Sequence, residues 1–117
     1  MNTKEVAEKV VELVRKQAWY EAFDTLYDKD IVSVEATAGE MRGKEEVRGK
    51  IDWWVNAMEV HRFKASEPFV GHDRFVVQYD ADVTEKESKQ RRQLSEVGVY
   101  TVKNGKILRE EFLPRAG

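Results

Sequence analysis

Residues 74–83, RFVVQYDADV, encode a strand with one apolar face, and this stretch decides the fold class. Successive side chains of a β-strand point to opposite faces of the sheet, so every second residue shares a face. The whole chain has 16 valines and 5 leucines, and β-branched side chains favour sheets over helices. A substantial sheet is therefore predicted, and we expect one face of this strand to be buried, namely Phe75, Val77, Tyr79, Ala81 and Val83.

Further strands are predicted on both sides of this segment, at residues 60–70, 94–102 and 107–113. Pro68 cannot donate a hydrogen bond to a neighbouring strand, which predicts a strand edge or a bulge at that point. The polar segment 84–92 is typical of a long solvated hairpin end, and Asn104-Gly105 predicts a tight hairpin turn. Together these segments predict a largely antiparallel meander.

Helical patterns dominate the first half of the chain. Asn2 and Glu5 form a capping pair, and the apolar spacing that follows predicts a helix over residues 3–17. A second, shorter helix is predicted over residues 19–26. A strand follows at residues 31–36, and a loop is predicted at residues 39–43 because of its two glycines. A third helix then carries an apolar stripe on one face, made of Val47, Ile51, Trp54 and Met58.

Composition excludes several classes of function. The 117 residues include 20 basic and 22 acidic side chains, a net charge of −2 that argues against nucleic acid as a partner. Cysteine is absent, which excludes disulfides, a thiol nucleophile and cysteine-ligated metal. No apolar run approaches the roughly 20 residues that span a bilayer, so we expect no membrane contact. Cytoplasmic residence is compatible with these features, and one domain over residues 1–117 is expected.

Two familiar kinds of site find no support. The segment 39–44, GEMRGK, is one residue too short for a phosphate-binding loop, and Glu45 stands where a magnesium-binding hydroxyl would be needed. His61 and His72 are the only histidines, and they lie on different predicted elements. We therefore expect neither a metal site nor a cofactor.

The order of elements predicts an α+β domain, and three segments resemble one superfamily. The segments are LYDKDI at 26–31, RGKEEVR at 42–48 and YTVKNGKI at 100–107. In order and spacing they resemble the NTF2-like superfamily, in particular its SnoaL-like polyketide cyclase and ketosteroid isomerase-related branches. The resemblance implies a cystatin-like cone, in which a curved, mainly antiparallel sheet wraps around three N-terminal helices and encloses a ligand pocket. Because that fold supports many unrelated activities, function has to be argued from the site.

Alternation predicts some polar residues inside the cone. Glu110 shares the more apolar face of the last strand with Leu108 and Phe112, and His61 shares a face with Phe63 and Ala65. Tyr79 lies on the buried face of its strand. Trp54 lies on the apolar stripe of the third helix, as core or pocket wall, whereas Trp53 is expected near the rim.

The remaining two strands are ambiguous by pattern alone. The resemblance implies that Glu35, Glu96 and Tyr100 point toward the cavity. In the isomerase-related members, a carboxylate base in the first strand matches Glu35. Their two hydrogen-bond donors have no match: the helix-one tyrosine falls near Val11 or Val14, and the proton-sharing acid falls near Gly98. Tyr79, Tyr100 or a protonated Glu96 are the candidates to replace those two donors.

These residues predict a cofactor-independent acid–base enzyme of the isomerase, cyclase or lyase type, acting on a small hydrophobic carbonyl compound. Buried, mutually repelling carboxylates titrate well above the usual value of about 4.3, and such groups transfer protons near neutral pH. The alternative is a non-catalytic ligand-binding or dimerising module. The predicted catalytic residues are Glu35, Glu110 and His61, and the predicted pocket residues are Trp54, Tyr79, Glu96, Tyr100 and Phe112.

The other face of the sheet predicts a partner. An apolar strip on that face, consisting of Val76, Val97, Val99, Thr101 and Ile107, is larger than monomers usually leave exposed. A homodimer formed through the outer face of the sheet is the hypothesis.

Overall fold

Three helices and seven strands form over residues 1–115, which are the residues that this computed structural model describes. The predicted α+β class, with helices packed on a mainly antiparallel sheet, is confirmed. The helices are α1 (Thr3–Arg15), α2 (Trp19–Leu26) and α3 (Gly43–Ala57). The strands are β1 (Tyr27–Glu35), β2 (Gly39–Arg42), β3 (Met58–Ala65), β4 (Phe69–Val70), β5 (Arg74–Glu85), β6 (Arg91–Lys103) and β7 (Lys106–Pro114).

One sheet contains all of these strands, in the order β2-β1-β7-β6-β5-β3, with the short β4 paired to β5. Strands β1 and β7 run parallel, while the other paired strands are antiparallel. Strand β7 therefore lies between β1 and β6. This insertion places Ser33 opposite Glu110 and Glu35 opposite Phe112, which brings polar residues distant in sequence onto one surface.

The predicted cap of α1 is present. Asn2 Oδ1 accepts a hydrogen bond from the Glu5 amide at 2.8 Å, and Glu5 Oε1 accepts one from the Asn2 amide at 3.0 Å. These two bonds satisfy amides that a helix start otherwise leaves without partners. The helix ends two residues earlier than predicted, and Gln17 beyond it adopts a positive φ of 58°. The inward face of α1 is fully apolar and consists of Val6, Ala7, Val10, Val11, Leu13 and Val14.

The buried face of β5 matches the prediction at every position. Exposure of its five apolar side chains lies between 0% and 6%. They belong to the core formed with α1 and α2, apart from Ala81 and Val83, which pack in a second cluster with Met58. Burying one such large side chain stabilises the fold by about 1.5–3 kcal/mol, so this strand is central to stability.

Two predicted boundaries were wrong. The segment predicted as a loop at residues 39–43 forms β2, which pairs with β1 so that Met41 lies opposite Ser33. Gly39 has a φ of +75°, a conformation that glycine adopts without penalty, and this lets the chain turn back after residues 36–38. Strand β1 also begins at Tyr27, four residues earlier than predicted, because its first residue already pairs with Ile107 of β7.

Two β-bulges overturn predicted side-chain directions. His61 is the extra residue where the pairing of β3 with β5 shifts between Val60 and Arg62, and it is exposed rather than inward. Leu108 is the extra residue where the pairing of β7 with β6 shifts. Ile107, predicted on the outer face, is consequently fully buried in the core. An inserted residue reverses the alternation beyond it, so positions counted through a bulge are assigned to the wrong face.

The predicted hairpin turn between β6 and β7 is present. Asn104 and Gly105 have φ values of 52° and 75°, the positive values that a tight turn of this type requires. The predicted polar hairpin end between β5 and β6 is also solvent-exposed over residues 86–93. Within residues 1–115, none of the helices has the length and apolar character needed to cross a bilayer.

Candidate active site

Glu110 lies at the centre of a polar cluster on the inner face of the sheet, and only 3% of its surface is exposed. Ser33 Oγ donates a hydrogen bond to Glu110 Oε2 at 2.7 Å, and the Tyr27 hydroxyl donates one to Oε1. Burial and the neighbouring carboxylate raise the pKa of Tyr27 far above its usual value, so the phenol stays protonated and remains a donor. Both oxygens of the buried carboxylate are therefore hydrogen-bonded, as buried charge requires.

Lys50 of α3 supplies the positive charge of the cluster. Its Nζ lies 2.5 Å from Glu35 Oε1, donates to Ser33 Oγ at 2.8 Å and lies 3.4 Å from Glu110 Oε2. The same ammonium lies 4.2 Å from the centre of the Phe112 ring, a cation–π distance. An ammonium has three hydrogens, and three oxygens surround this one. We call Glu35, Lys50, Glu96 and Glu110 the carboxylate cluster.

Glu35 lies at the end of β1 and points toward the interior, as the resemblance implied. Its side chain is 25% exposed and is paired with Lys50, whose side chain is 20% exposed. The predicted base is thus an ion-paired carboxylate at the edge of the cluster. Its catalytic role remains a prediction.

Glu96 of β6 differs from the other two carboxylates. It is half-buried and lies opposite Tyr79 in the pairing of β5 with β6. Burial, assisted by the negative charges of Glu35 and Glu110 and opposed by Lys50, raises its pKa to about 7. No side-chain hydrogen bond described among residues 1–115 involves Glu96, and because no fully buried side-chain oxygen there lacks a partner, its carboxylate oxygens reach solvent. It is therefore a carboxyl group that changes its protonation state near neutral pH.

Two buried phenols lie beside Glu96. The hydroxyl oxygens of Tyr79 and Tyr100 are 2.6 Å apart, and burial raises the pKa of both groups, so both keep their protons. A methyl group at Gly98 would lie 2.9 Å from the Tyr100 ring and 3.1 Å from the Tyr79 ring. The absence of a side chain at Gly98 therefore makes room for the hydroxyl pair. The pair occupies the place where the resemblance led us to look for a proton-sharing acid.

Aromatic rings form a continuous wall next to the cluster. Phe112 lies 6.1 Å from Tyr100 and 6.5 Å from Tyr79, in tilted or edge-on geometry. Phe63 continues the wall from Tyr79 at 5.5 Å. Beyond Phe63 the wall ends in two half-buried tryptophans, Trp19 and Trp54. Trp53 faces solvent and is 56% exposed.

Solvent reaches one end of this polar interior. Glu35, Lys50, Trp54, Glu96 and Phe112 are all partly exposed, and we call these five residues the mouth. The groups behind it, Glu110 and the tyrosine pair, are at most 5% exposed. Two surface depressions lie elsewhere: one of about 690 Å³ at the N-terminus and the β6–β7 turn, and one of about 210 Å³ on the outer face of β3, β5 and β6.

His61 does not join the cluster. Its Nε2 lies 2.7 Å from Thr84 Oγ1 on the exposed side of the bulge. The inward position predicted for it was wrong. Over residues 1–115, no group of three histidine or acidic side chains is arranged to hold a metal ion.

Sequence reasoning missed Lys50, Ser33 and Tyr27. Lys50 follows Val47 by three residues and precedes Trp54 by four, which is the spacing of the apolar stripe itself. Ser33 alternates with Ile31 and Glu35 on the inward face of β1. Both signals were present in the sequence, but a lysine on a helix normally indicates a solvated position.

Comparison with known proteins identifies the class. The SnoaL-like domain model matches residues 1–113, and the chain belongs to this family. Its structure is that of the NTF2-like, cystatin-like cone, which confirms the resemblance seen in the sequence. The search among curated proteins found no match.

Three solved structures illustrate the likeness. A Mesorhizobium loti protein, provisionally named a SnoaL-like polyketide cyclase with "carbohydrate phosphatase" in brackets, is 37% identical, with a TM-score of 0.91 and coverage of 97% of this chain and 99% of that one. A Bacillus subtilis protein provisionally named an isomerase is 17% identical, with a TM-score of 0.80 and coverage of 98% and 90%. An NTF2-like protein of unknown function from Burkholderia pseudomallei is 18% identical, with a TM-score of 0.79 and coverage of 98% and 92%. The latter two show the fold alone.

Proposed function

We propose that the protein is a cofactor-independent acid–base enzyme of the isomerase, cyclase or lyase type, which moves a proton on a small hydrophobic carbonyl compound bound at the mouth. The observation that supports this most directly is Glu96. It is a half-buried carboxyl group that lacks a hydrogen-bond partner within residues 1–115 and has a pKa of about 7. A catalytic acid or base is most effective when its pKa lies near the working pH.

Glu96 is the proton carrier in this proposal. Its carboxylate takes a proton from a carbon next to the carbonyl group, and the electrons of that C–H bond move onto the carbonyl oxygen as an enolate. The proton then returns from Glu96 to the same or another carbon. Because the carboxyl group begins and ends the cycle in the same state, no other reactant is needed.

The tyrosine pair supplies the hydrogen bond to the enolate oxygen. Within the pair, one hydroxyl donates to the other, which leaves one hydroxyl proton without an acceptor among residues 1–115. Tyr79 is the better placed of the two, because it lies opposite Glu96 in the sheet. A donor fixed in advance at a developing negative charge is usually the largest single contribution to such catalysis.

Glu35 and Glu110 act differently in this proposal. Both carboxylates are tied to Lys50, and Glu110 accepts further hydrogen bonds from Ser33 and Tyr27. Burial is the main cause of the high pKa of Glu96, and the negative charges of Glu35 and Glu110 raise it further, so these two groups tune the proton carrier rather than carry the proton.

Deuterium exchange tests the proposal without knowledge of the natural substrate. Small hydrophobic ketones are incubated with the protein in D₂O, and loss of the hydrogens next to the carbonyl is followed by NMR. We expect exchange above the buffer rate, rising with pH around 7, and a fall of about 10²–10⁴-fold in Glu96→Gln, the usual contribution of a general base.

A matched control separates the site from general charge effects. Glu59→Gln makes the same chemical change at an exposed position of β3 and should leave exchange unaltered. Equal exchange by wild type and Glu96→Gln would contradict the assignment of the base. Exchange at the buffer rate with every ketone would contradict the enzyme and favour a non-catalytic ligand-binding module, the function that the tightly paired Glu110 network supports as the alternative.

We also propose that the protein forms a homodimer through the outer face of the sheet. Phe69 is 73% exposed and lies opposite Val76, which in turn lies opposite Val99. Leu113 is 49% exposed and lies opposite Val97. These five residues form an apolar outer strip, with Phe69 and Leu113 extending the predicted strip and Ile107 excluded from it.

Sedimentation tests the dimer. Wild type should sediment as a dimer at micromolar concentration, whereas Phe69→Asp or Leu113→Asp should give a monomer. Trp53→Asp is the control, since Trp53 is comparably exposed but lies on α3. A monomeric wild type would contradict the proposed dimer.

A further inference from the structure

We propose that Asn104 is a site of spontaneous deamidation that the folded turn between β6 and β7 protects, so that the modification occurs only when this turn opens. Neither residue of the turn, Asn104 or Gly105, belongs to the carboxylate cluster, so this site is separate from the proposed activity. Three features carry the inference: the chemistry of an Asn-Gly pair, the backbone conformation of the turn and the contact of the turn with the N-terminal segment.

An Asn-Gly pair can modify itself. The chain has three asparagines, and only Asn104 is followed by glycine, which has no side chain to hinder the attack of its nitrogen. The backbone nitrogen of Gly105 attacks the Cγ atom of Asn104, so that a bond between these two atoms forms, the Cγ–Nδ2 bond breaks, and the amide proton leaves with the ammonia. Water then opens the five-membered succinimide ring at either carbonyl group and gives aspartate or isoaspartate. Water is the only other reactant.

The backbone conformation of the turn keeps the reacting atoms apart. Asn104 and Gly105 have φ values of 52° and 75°, as in the left-handed region that a two-residue hairpin turn uses. In that region ψ is about +47°, which places the Gly105 nitrogen nearly opposite the Cβ atom of Asn104 across the Cα–C bond. Closure of a five-membered ring requires both atoms on the same side of this bond. The attack therefore needs a backbone rotation that the pairing of Lys103 with Lys106 opposes.

The N-terminal segment also holds the turn in place. A methyl group at Gly105 would lie 2.9 Å from the carbonyl oxygen of Met1, so the backbone of Met1 packs directly against the turn. The next residue, Asn2, caps α1, which fixes the position of the segment. Asn104 itself is exposed, so water reaches its side chain without any opening. The protection therefore comes from conformation and not from burial.

The isoaspartate product would change the turn. Its main chain runs through the former side chain, which adds one atom to a turn whose geometry sets the register of both strands. Val102 and Ile107, on either side of the turn, are buried core residues, so a distorted turn disturbs the core. The aspartate product keeps the normal main chain, and Asp-Gly suits the same type of turn.

Mass spectrometry of digested protein measures deamidation at Asn2, Asn56 and Asn104. Wild type is incubated at pH 8 in buffer and in urea that unfolds it, and a synthetic peptide of residues 100–108 corrects for the effect of urea on the chemistry. In urea, we expect Asn104 to react fastest. In buffer it should react at least roughly tenfold more slowly than in urea, which corresponds to an opening free energy of about 1.4 kcal/mol or more. Equal rates at Asn104 in the two solvents would overturn the proposal, as would faster reaction at Asn2 or Asn56 in urea.

Two matched variants locate the opening. Val102→Ala and Val83→Ala remove the same atoms from buried strand positions, but only Val102 lies next to the turn, whereas Val83 pairs with Arg92 at the other end of β6. Val102→Ala should raise the rate at Asn104 in buffer by roughly tenfold, because a cavity beside the turn favours its opening, while Val83→Ala should leave the rate unchanged. Equal acceleration in both would show that only unfolding of the whole protein exposes the site, and would overturn local opening. The comparison of buffer with urea in wild type depends on neither variant.

A last comparison tests the effect of the product. The deamidated fraction of wild type is separated by anion exchange, since it carries one more negative charge, and is compared with Asn104→Asp, which has the same charge on a normal main chain. The deamidated fraction should unfold at a lower urea concentration. Equal unfolding midpoints would contradict the distortion of the turn by isoaspartate.

Discussion

Glu110 and Glu96 lie on neighbouring strands of one sheet and face the same interior, yet their surroundings differ. Glu110 is 3% exposed and is held by Tyr27, Ser33 and Lys50. Glu96 is more exposed, but it has no hydrogen-bond partner within residues 1–115, and its pKa is raised to about 7. The two carboxyl groups therefore differ in their partners as well as in their depth, and burial is the main cause of the raised pKa of Glu96.

The largest loss of stability is expected when Glu110, the carboxylate with three partners, is replaced. Glu110→Ala leaves Tyr27, Ser33 and Lys50 without their shared acceptor and should lower the free energy of unfolding by about 3 kcal/mol. Urea unfolding measures the change. Glu59→Ala, at an exposed position of β3, should change stability by about 0.5 kcal/mol or less. Equal losses in the two variants would show that the inner network does not stabilise the fold.

A smaller loss is expected from Gly98→Ala. The new methyl group would lie 2.9 Å from the Tyr100 ring and 3.1 Å from Tyr79, so the hydroxyl pair must separate or the strand must shift, at a cost of about 1–3 kcal/mol. Gly49→Ala is the control, because it lies on α3 with open space around it and should stabilise the helix by roughly 0.5–1 kcal/mol. Urea unfolding and near-ultraviolet circular dichroism follow both variants. Tolerance of alanine at residue 98 would mean that the rings do not need this space.

Wild type should lose stability as the pH rises, and Glu96→Gln should remove this loss. The folded protein holds the Glu96 proton up to about pH 7, whereas the unfolded chain releases it near pH 4.5. Between these values the folded state binds more protons, so the stability that Glu96 contributes falls as pH rises. The glutamine variant lacks this loss. Its free energy of unfolding, relative to that of wild type, should therefore be about 2 kcal/mol higher at pH 8 than at pH 4. Urea unfolding at several pH values measures the gain; a difference that is independent of pH would refute the raised pKa.

The smallest effect is expected at His61. Its side chain is exposed and contacts only Thr84 among the hydrogen bonds described, so His61→Ala should change stability by about 0.5 kcal/mol or less. It should also leave ketone exchange unchanged. A large loss of exchange would show that His61 takes part in the site. It would contradict the outer position that the bulge gives this residue.

Prediction from the sequence succeeded where the alternation is unbroken. All five inward positions of β5 are buried as expected, because this strand runs for 12 residues and its inward face is apolar at each alternate position from Phe75 to Val83. It failed at His61, which is itself the extra residue of one bulge, and at Ile107, which an extra residue separates from the correctly predicted Glu110, because alternation counted through a bulge assigns the opposite face.

The site itself could be predicted only in part. Glu110 followed from alternation, whereas the inward positions of Glu35, Glu96 and Tyr100 came from the family resemblance. The pairing of Lys50 with two carboxylates could not be read from the chain, because it depends on how α3 lies across β1 and β7. That packing also determines that Lys50 pairs with Glu35 and Glu110 and not with Glu96.

The position of β7 between β1 and β6 has a consequence for synthesis on the ribosome. Until residues 106–114 have emerged, β1 and β6 have no strand to join them, and each presents an unpaired edge that can capture a neighbouring nascent chain. A chain without residues 106–114 would have Tyr27, Ser33 and Lys50 but no Glu110 to accept their hydrogen bonds. Strand β7 therefore joins β1 to β6 and completes the polar interior in a single step.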